Sequence, residues 1–475
     1  MKRAKKTTEK AKIFYHDIGD YLSREDKLRV IKQMRDVSNP IMEWKQLTPN
    51  EHGDWINHRN RMFKDFIPID PEKKYAKGQK AFFETYSLGL ASSRDAWVYN
   101  YALKALEHNM QQSISFYNQQ RELFASKQIA TVSFEATKIS WNDSLIKNCI
   151  SNKMLHFSTD SIITGTYRPY QKMYLYFNKN FIQRPYQNLR LFPTSKHKNL
   201  VICVSGVGAS KDFSALITDC IPDLQLQFNG QCFPLYWYDD SASDIADLFN
   251  QNSTNPIDRY VRKDGVTDWI LSTARKQYGY KVTKEDIFYY VYGILHSPDY
   301  RTTFATDLKK SLPRLPLVEK ADDFWAFSKA GHKLAKWHLN YETIEPYKGC
   351  IVQFGAYTNK GEAINYRVEK MRFAKKDSKT ADKSSIHYNE SITIEGIPAE
   401  AYEYIVNGRS AIEWIMERYA VTTDSKSSIT NDPNDWAKEH DDEKYIFNLL
   451  LRVINVSMKT VEIVKRLPKL KFEKQ

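Results

Sequence analysis

Cysteine is scarce in this chain: five residues in 475, Cys149, Cys203, Cys220, Cys232 and Cys350, with no CxxC pair among them. An odd, scattered set argues against a disulfide framework and a structural zinc site, and suits a reducing compartment. Long apolar runs are missing as well. No stretch of about eighteen apolar residues occurs, so no membrane span is expected. The N-terminal Met1-Lys2-Arg3-Ala4-Lys5-Lys6 is basic but lacks the apolar run of a secretory leader. A soluble, cytoplasmic protein is expected.

The common catalytic signatures are absent too. A Walker loop is missing, because Gly206-Val207-Gly208-Ala209-Ser210-Lys211 has the wrong spacing and reads as a turn ending a strand. Neither HExxH nor GxSxG occurs. An amino-methyltransferase needs a Gly-rich cofactor loop and an Asn/Asp/Ser-Pro-Pro-aromatic motif to grip a flipped base. The nearest string, Ser38-Asn39-Pro40-Ile41, has one proline and no aromatic. His332 and His338 stand six apart on an apparent helix, off a shared face, and read as structural or edge histidines. Pro298-Asp299 with Asp307-Leu308-Lys309 mimics a nuclease pattern, but its second half looks helical. No catalytic residue, metal ligand or cofactor site is expected.

What is abundant is positive charge and aromatic surface. Lys and Arg number 70 against 57 Asp and Glu, a net charge of +13, and 13% of residues are aromatic. Such a surplus favours a polyanionic partner if the cations cluster. They do. Residues 161–211 contain no Asp or Glu, yet carry Arg168, Lys172, Lys179, Arg184, Arg190, Lys196, Lys198 and Lys211 interleaved with tyrosines and phenylalanines. The strip can neutralise phosphates, with its aromatics shaping the surface. The alternative is a sheet core with solvated cations. A second cluster, Arg367, Lys370, Arg372, Lys375, Lys376 and Lys379, offset by Glu369 and Asp377, reads as a strand running into an exposed loop. That shape can enter a major groove. Arg301, Lys309, Lys310 and Arg314 suit either phosphate gripping or buried salt bridges, and Lys465 to Lys474 reads as a basic tail.

The periodicities give a mixed α+β chain. Ile13–Tyr15 looks like a strand, and Ser23 with Asp26 like a helix cap before an apolar face of Leu28, Ile31 and Met34. Residues 37–80 read as irregular. A long helix is expected from Ser92 or Ser93 towards Phe124, on a stripe including Trp97, Tyr101, Ala105 and Met110. Periodicity fails over 126–160, the candidate boundary. Strands are expected at Met173–Phe177, Leu200–Val204 and Leu224–Phe228, and in 348–395. Helices are expected at 285–295, 301–310, 321–338, 409–419 and 443–465.

Several strings, in order, resemble the C-terminal part of type ISP restriction–modification enzymes. They include Asp17-Ile18-Gly19-Asp20-Tyr21-Leu22, Ser93-Arg94-Asp95-Ala96-Trp97-Val98-Tyr99-Asn100, Tyr167-Arg168-Pro169-Tyr170, Leu295-His296-Ser297-Pro298-Asp299-Tyr300-Arg301, Leu312-Pro313-Arg314-Leu315-Pro316, Gly408-Arg409-Ser410-Ala411-Ile412-Glu413-Trp414 and Asn431-Asp432-Pro433-Asn434-Asp435-Trp436. The resemblance implies that 1–30 is the end of an adenine methyltransferase fold, 31–160 a helical connector, and 161–475 a mixed-sheet target-recognition domain. It implies sequence-specific binding of double-stranded DNA that positions an adenine for a methyltransferase domain. S-adenosylmethionine, ATP and Mg would belong to nuclease, helicase and methyltransferase domains outside this chain. A nuclease or methyltransferase with atypical motifs, and an assembly subunit with a basic face, stay open as alternatives.

Overall fold

The structure is a computed structural model that describes residues 11–19, 22–56, 58–76, 78–240, 260–355, 364–377 and 380–472. It falls into two units, Met1–Arg61 and Met62–Gln475.

In the first unit, β1 (Ile13–Tyr15) pairs antiparallel with β2 (Lys45–Leu47). Between them lies α1 (Arg24–Met34), capped as expected by Ser23, whose side chain accepts from the Asp26 N–H. The apolar face of α1 is not buried: Leu28 and Ile31 are exposed, as are Phe14, Ile41 and Trp44. Amphipathic spacing supplies a face, but burial needs a partner element, and none covers this one among the described residues.

The second unit starts with short strands β3 (Ile67–Pro68) and β4 (Ser87–Leu88). The expected long helix is split. A four-residue α2 (Asp95–Val98) gives way to β5 (Tyr99–Asn100), and α3 (Leu103–Ala125) begins only after it. The chain leaves the helix at Val98 because Tyr99 and Asn100 are taken into sheet pairing with Leu175 and Tyr174. From α3 a stripe of Leu106, Met110, Ile114 and Tyr117 is buried.

The aperiodic interval that follows is packed. It holds α4 (Asp143–Ile150), and Val132, Ile139, Leu145, Cys149 and Leu155 join the same core as α3. Tyr117 donates to the Lys153 carbonyl at 2.9 Å, and Asn118 to the Leu155 carbonyl at 2.8 Å. Beyond it, β6 (Ile162–Arg168) and β7 (Gln171–Tyr176) form a hairpin in a sheet that runs β10-β6-β7-β5, where β10 is Ile221–Pro222. The break in periodicity near 160 is therefore bridged by a sheet rather than marked by a break in packing.

After α5 (Asn188–Leu191) come β8 (Val201–Val204), β9 (Ala215–Thr218) and β11 (Gln231–Pro234), which pair with β4 in the order β4-β11-β8-β9. This sheet is covered on both faces. Val201 and Cys203 point into one core and Ile202 and Val204 into the other, because successive side chains alternate. The strand expected at Leu224–Phe228 is instead a turn between β10 and β11. A hairpin of β12 (Tyr236–Asp239) and β13 (Val261–Asp264) follows.

Helices α6 (Asp268–Tyr278), α7 (Lys284–Ile294), α8 (Pro298–Thr303) and α9 (Ala305–Lys310), strand β14 (Arg314–Leu315) and helix α10 (Ala321–Leu339) build the second core. Helices α7 and α10 cross at Gly293 and Gly331. A Cβ on Gly331 would lie 1.9 Å from the Tyr289 carbonyl oxygen, and one on Gly293 2.3 Å from that of Phe327. The remainder is a four-stranded antiparallel sheet with the order β15-β18-β17-β16, formed by β15 (Ile351–Phe354), β16 (Arg372–Lys375), β17 (Ala381–His387) and β18 (Ile392–Glu395). Beyond it lie helices α11 (Ala411–Arg418), α12 (Pro433–Glu439) and α13 (Tyr445–Lys465). The class is α+β, as the sequence indicates.

Candidate nucleic-acid interface

The strip of residues 161–211 is acid-free only along the chain. Folding brings carboxylates from elsewhere onto several of its cations. Arg168 donates to Asp223 at 2.6 Å and to its neighbour's carbonyl at Tyr167, lies 3.8 Å from Asp95, and stacks over the Tyr167 ring at 3.9 Å. Burial acts to lower its pKa, but Asp223, Tyr167 and Asp95 outweigh it and the net shift is upward. Lys172 lies 3.2 Å from Glu342 and 3.5 Å from Asp219. Arg190 pairs with Asp239 at 2.7 Å and covers the Tyr75 ring at 4.3 Å. These three are committed inside the protein.

The other strip cations are not. Arg184, Lys196, Lys198 and Lys211 are exposed, and no carboxylate pairs with them among the described residues. Lys196 and Lys198 line a groove of about 1420 Å³ together with Tyr174, Arg262 and Trp436. Lys172 with its partners Asp219 and Glu342, and Asp160 and Glu285, also line it, so its charge is mixed rather than uniformly positive.

Arg301, Lys309, Lys310 and Arg314 are all partnered within the chain. The Arg301 Nε donates to the Leu295 carbonyl at 2.5 Å, and burial lowers its pKa to about 10. The Arg314 Nε donates to the Phe66 carbonyl at 2.9 Å. Lys309 bonds Asp212 at 3.0 Å, and Lys310 is also partnered. Neither arginine sits in an ion pair among the described residues, so both act as backbone clamps. The neighbouring Asp307 is buried on a helix and Asp299 accepts from the Leu470 N–H. His338 is buried, bonded to the Tyr292 hydroxyl at 2.6 Å and to Thr460 at 2.9 Å, a structural histidine as expected.

The second basic cluster forms the edge of the four-stranded sheet. β16 and β17 make a hairpin closed by a hydrogen bond from the Lys376 N–H to the Thr380 carbonyl at 3.0 Å, with a bulge between Phe373 and Ala374. Arg372, Lys375 and Lys376 are exposed along it, while Lys379 lies outside the described residues. Arg367 is held by Asp432 at 2.8 Å and Glu369 at 2.7 Å. The inner face of the sheet buries Ile386 and Ile394. Its outer face presents one row across all four strands, Arg372, His387, Thr393 and Gln353, fixed by the pairings Arg372↔His387, His387↔Thr393 and Gln353↔Thr393. His387, Thr393 and Gln353 carry no sequence signal that groups them with Arg372, because the cross-strand register that assembles the row is not readable from one strand.

Residues 81–449 match the Type ISP C-terminal specificity domain. The chain belongs to that family. Solved structures agree. The chain is 35% identical to a nuclease-deletion mutant of the Type ISP restriction-modification enzyme LlaGI, solved in complex with a DNA substrate mimic, with a TM-score of 0.81 over 99% of this chain. It is 36% identical to the ATP-dependent Type ISP enzyme LlaBIII bound to DNA, with a TM-score of 0.81 over 97% of this chain. Against DrdV in its DNA complex the identity is 27%, with a TM-score of 0.78 over 97% of this chain. This specificity-domain chain spans 40%, 28% and 44% of those three. No curated protein matches it.

Proposed function

We propose that the chain recognises a specific sequence in double-stranded DNA for a restriction–modification enzyme and positions a target adenine for a methyltransferase domain. The observation that carries this reading is the family match, joined to an exposed β-hairpin edged with Arg372, Lys375 and Lys376. A two-stranded ribbon fits the major groove, where arginine is a favoured reader of guanine edges. Arg184, Lys196, Lys198 and Lys211 supply sequence-independent phosphate contacts that set register. Arg168, Lys172, Arg190, Arg301, Arg314 and Arg367 support the frame from within.

The exposed apolar residues Phe14 and Leu28 are compatible with reading residues 1–30 as the end of a methyltransferase fold that packs against the rest of that domain. On this reading S-adenosylmethionine, ATP and Mg are handled by methyltransferase, helicase and nuclease domains outside these residues, and the protein works in the cytoplasm. Among the described residues no helix is long and apolar enough to cross a membrane.

Selection from a random duplex pool tests the proposal. Enrichment of one motif containing adenine is expected. Retention of all sequences alike, with a steep salt dependence, would favour the assembly-subunit alternative. Methyl transfer or cleavage by the isolated chain would favour the catalytic one.

A further inference from the structure

Strand alternation in the β15-β18-β17-β16 sheet sends Ile386, Ile392 and Ile394 inward, where they are buried, and the positions between them outward. The outward row Gln353, Thr393, His387 and Arg372 crosses all four strands in that order. Arg372 and Gln353, at its two ends, are exposed, and no side-chain hydrogen bond or ion pair engages either among the described residues. In the middle the His387 Nδ1 and the Thr393 Oγ1 bond each other at 3.0 Å, which leaves the His387 Nε2 facing no partner among the described residues. Ile351, two positions before Gln353 and so on the same face, is 58% exposed.

A merely solvated face tolerates any polar residue. This row carries no carboxylate, a group that the phosphates flanking a groove would repel, and exposed Lys375 and Lys376 continue its charge beyond Arg372. Arginine pairs in bidentate fashion with guanine and glutamine with adenine, while an apolar side chain suits a thymine methyl. Strands about 4.8 Å apart make the row about 14 Å long, or about four base-pair steps. The buried isoleucines behind it hold the side chains on rigid strands rather than on a loop. We propose that the whole row reads base edges in the major groove, with Arg372 and Gln353 specifying base pairs about four steps apart. This rests on reading the chain as a sequence-specific DNA binder, and it extends the reading surface from the hairpin to β18 and β15.

The test is motif selection from a random duplex pool by the full chain and by Gln353→Ala, Gln353→Glu, His387→Ala and Arg372→Gln. Each replaces an exposed side chain and should melt with wild type. Gln353→Ala should lose the preference for one adenine, with affinity for the wild-type motif down about tenfold and random-duplex binding unchanged. Gln353→Glu should move that same position towards cytosine, and Arg372→Gln should move a guanine about four pairs away towards adenine. His387→Ala should relax a position between the two. An unchanged motif from both Gln353 variants, or Gln353 and Arg372 acting on one base pair, would overturn the row while leaving sequence-specific binding in place. Loss of cooperative melting in both Gln353 variants would make Gln353 structural and overturn it likewise. A wild-type chain that enriches no motif would overturn the underlying reading, and the row with it.

Discussion

Arg168 donates to Asp223 at 2.6 Å across 55 residues, tying the β6–β7 hairpin to the turn after β10. The pair is largely enclosed, with side chains 13% and 4% exposed, and Tyr167 and Asp95 complete the arginine's surroundings. Linear charge segregation thus hides an internal ion pair.

Breaking it should be a stability lesion. Arg168→Ala leaves Asp223 buried without its cation and should cost about 3 kcal/mol or more in denaturant unfolding. Lys196→Ala and Lys198→Ala should change stability by less than about 0.5 kcal/mol. Each should lower the salt slope of random-duplex binding by about one unit, if it contacts a phosphate. The reverse pattern would move the interface back onto the paired cations.

Gly331→Ala tests the helix crossing. The added Cβ meets the Tyr289 carbonyl at 1.9 Å, so α7 and α10 must separate. A loss of about 1–3 kcal/mol is expected from overpacking, measured by chemical denaturation. An unchanged midpoint would mean the crossing is looser than its geometry indicates.

Acid should weaken the fold through its buried histidines. Burial and the nearby Arg301 lower the His338 pKa to about 3, and burial with Arg301 and His338 takes His296 well below its usual value. The unfolded chain protonates both near pH 6.5 and the folded chain resists, so stability is full above that pH. It falls as pH drops from 6.5 towards 3, by about 1.4 kcal/mol per unit for each histidine. Melting temperatures across that window, for wild type and His338→Gln, should show a shallower decline in the variant.

Much of the fold was legible because helix 284–294 carries its capping box locally and helix 321–339 its periodic buried stripe. Val98-Tyr99 misled because a β-branched and aromatic pair fits both a helix stripe and a short strand, and the pairing of Tyr99 with β7 ends the helix there. The site was half legible. Exposed hairpin cations follow from local pattern, whereas the partners of Arg168, Lys172 and Arg190 come from distant carboxylates that no spacing announces.

The central claim, sequence-specific DNA recognition through the β16–β17 hairpin, is tested most directly by Arg372→Ala. Its binding is measured on a selected cognate duplex and on random duplex at the same salt. The account predicts a loss of about 1–3 kcal/mol on the cognate site with random binding almost intact. Equal weakening on both duplexes, or no loss on the cognate one, would contradict it.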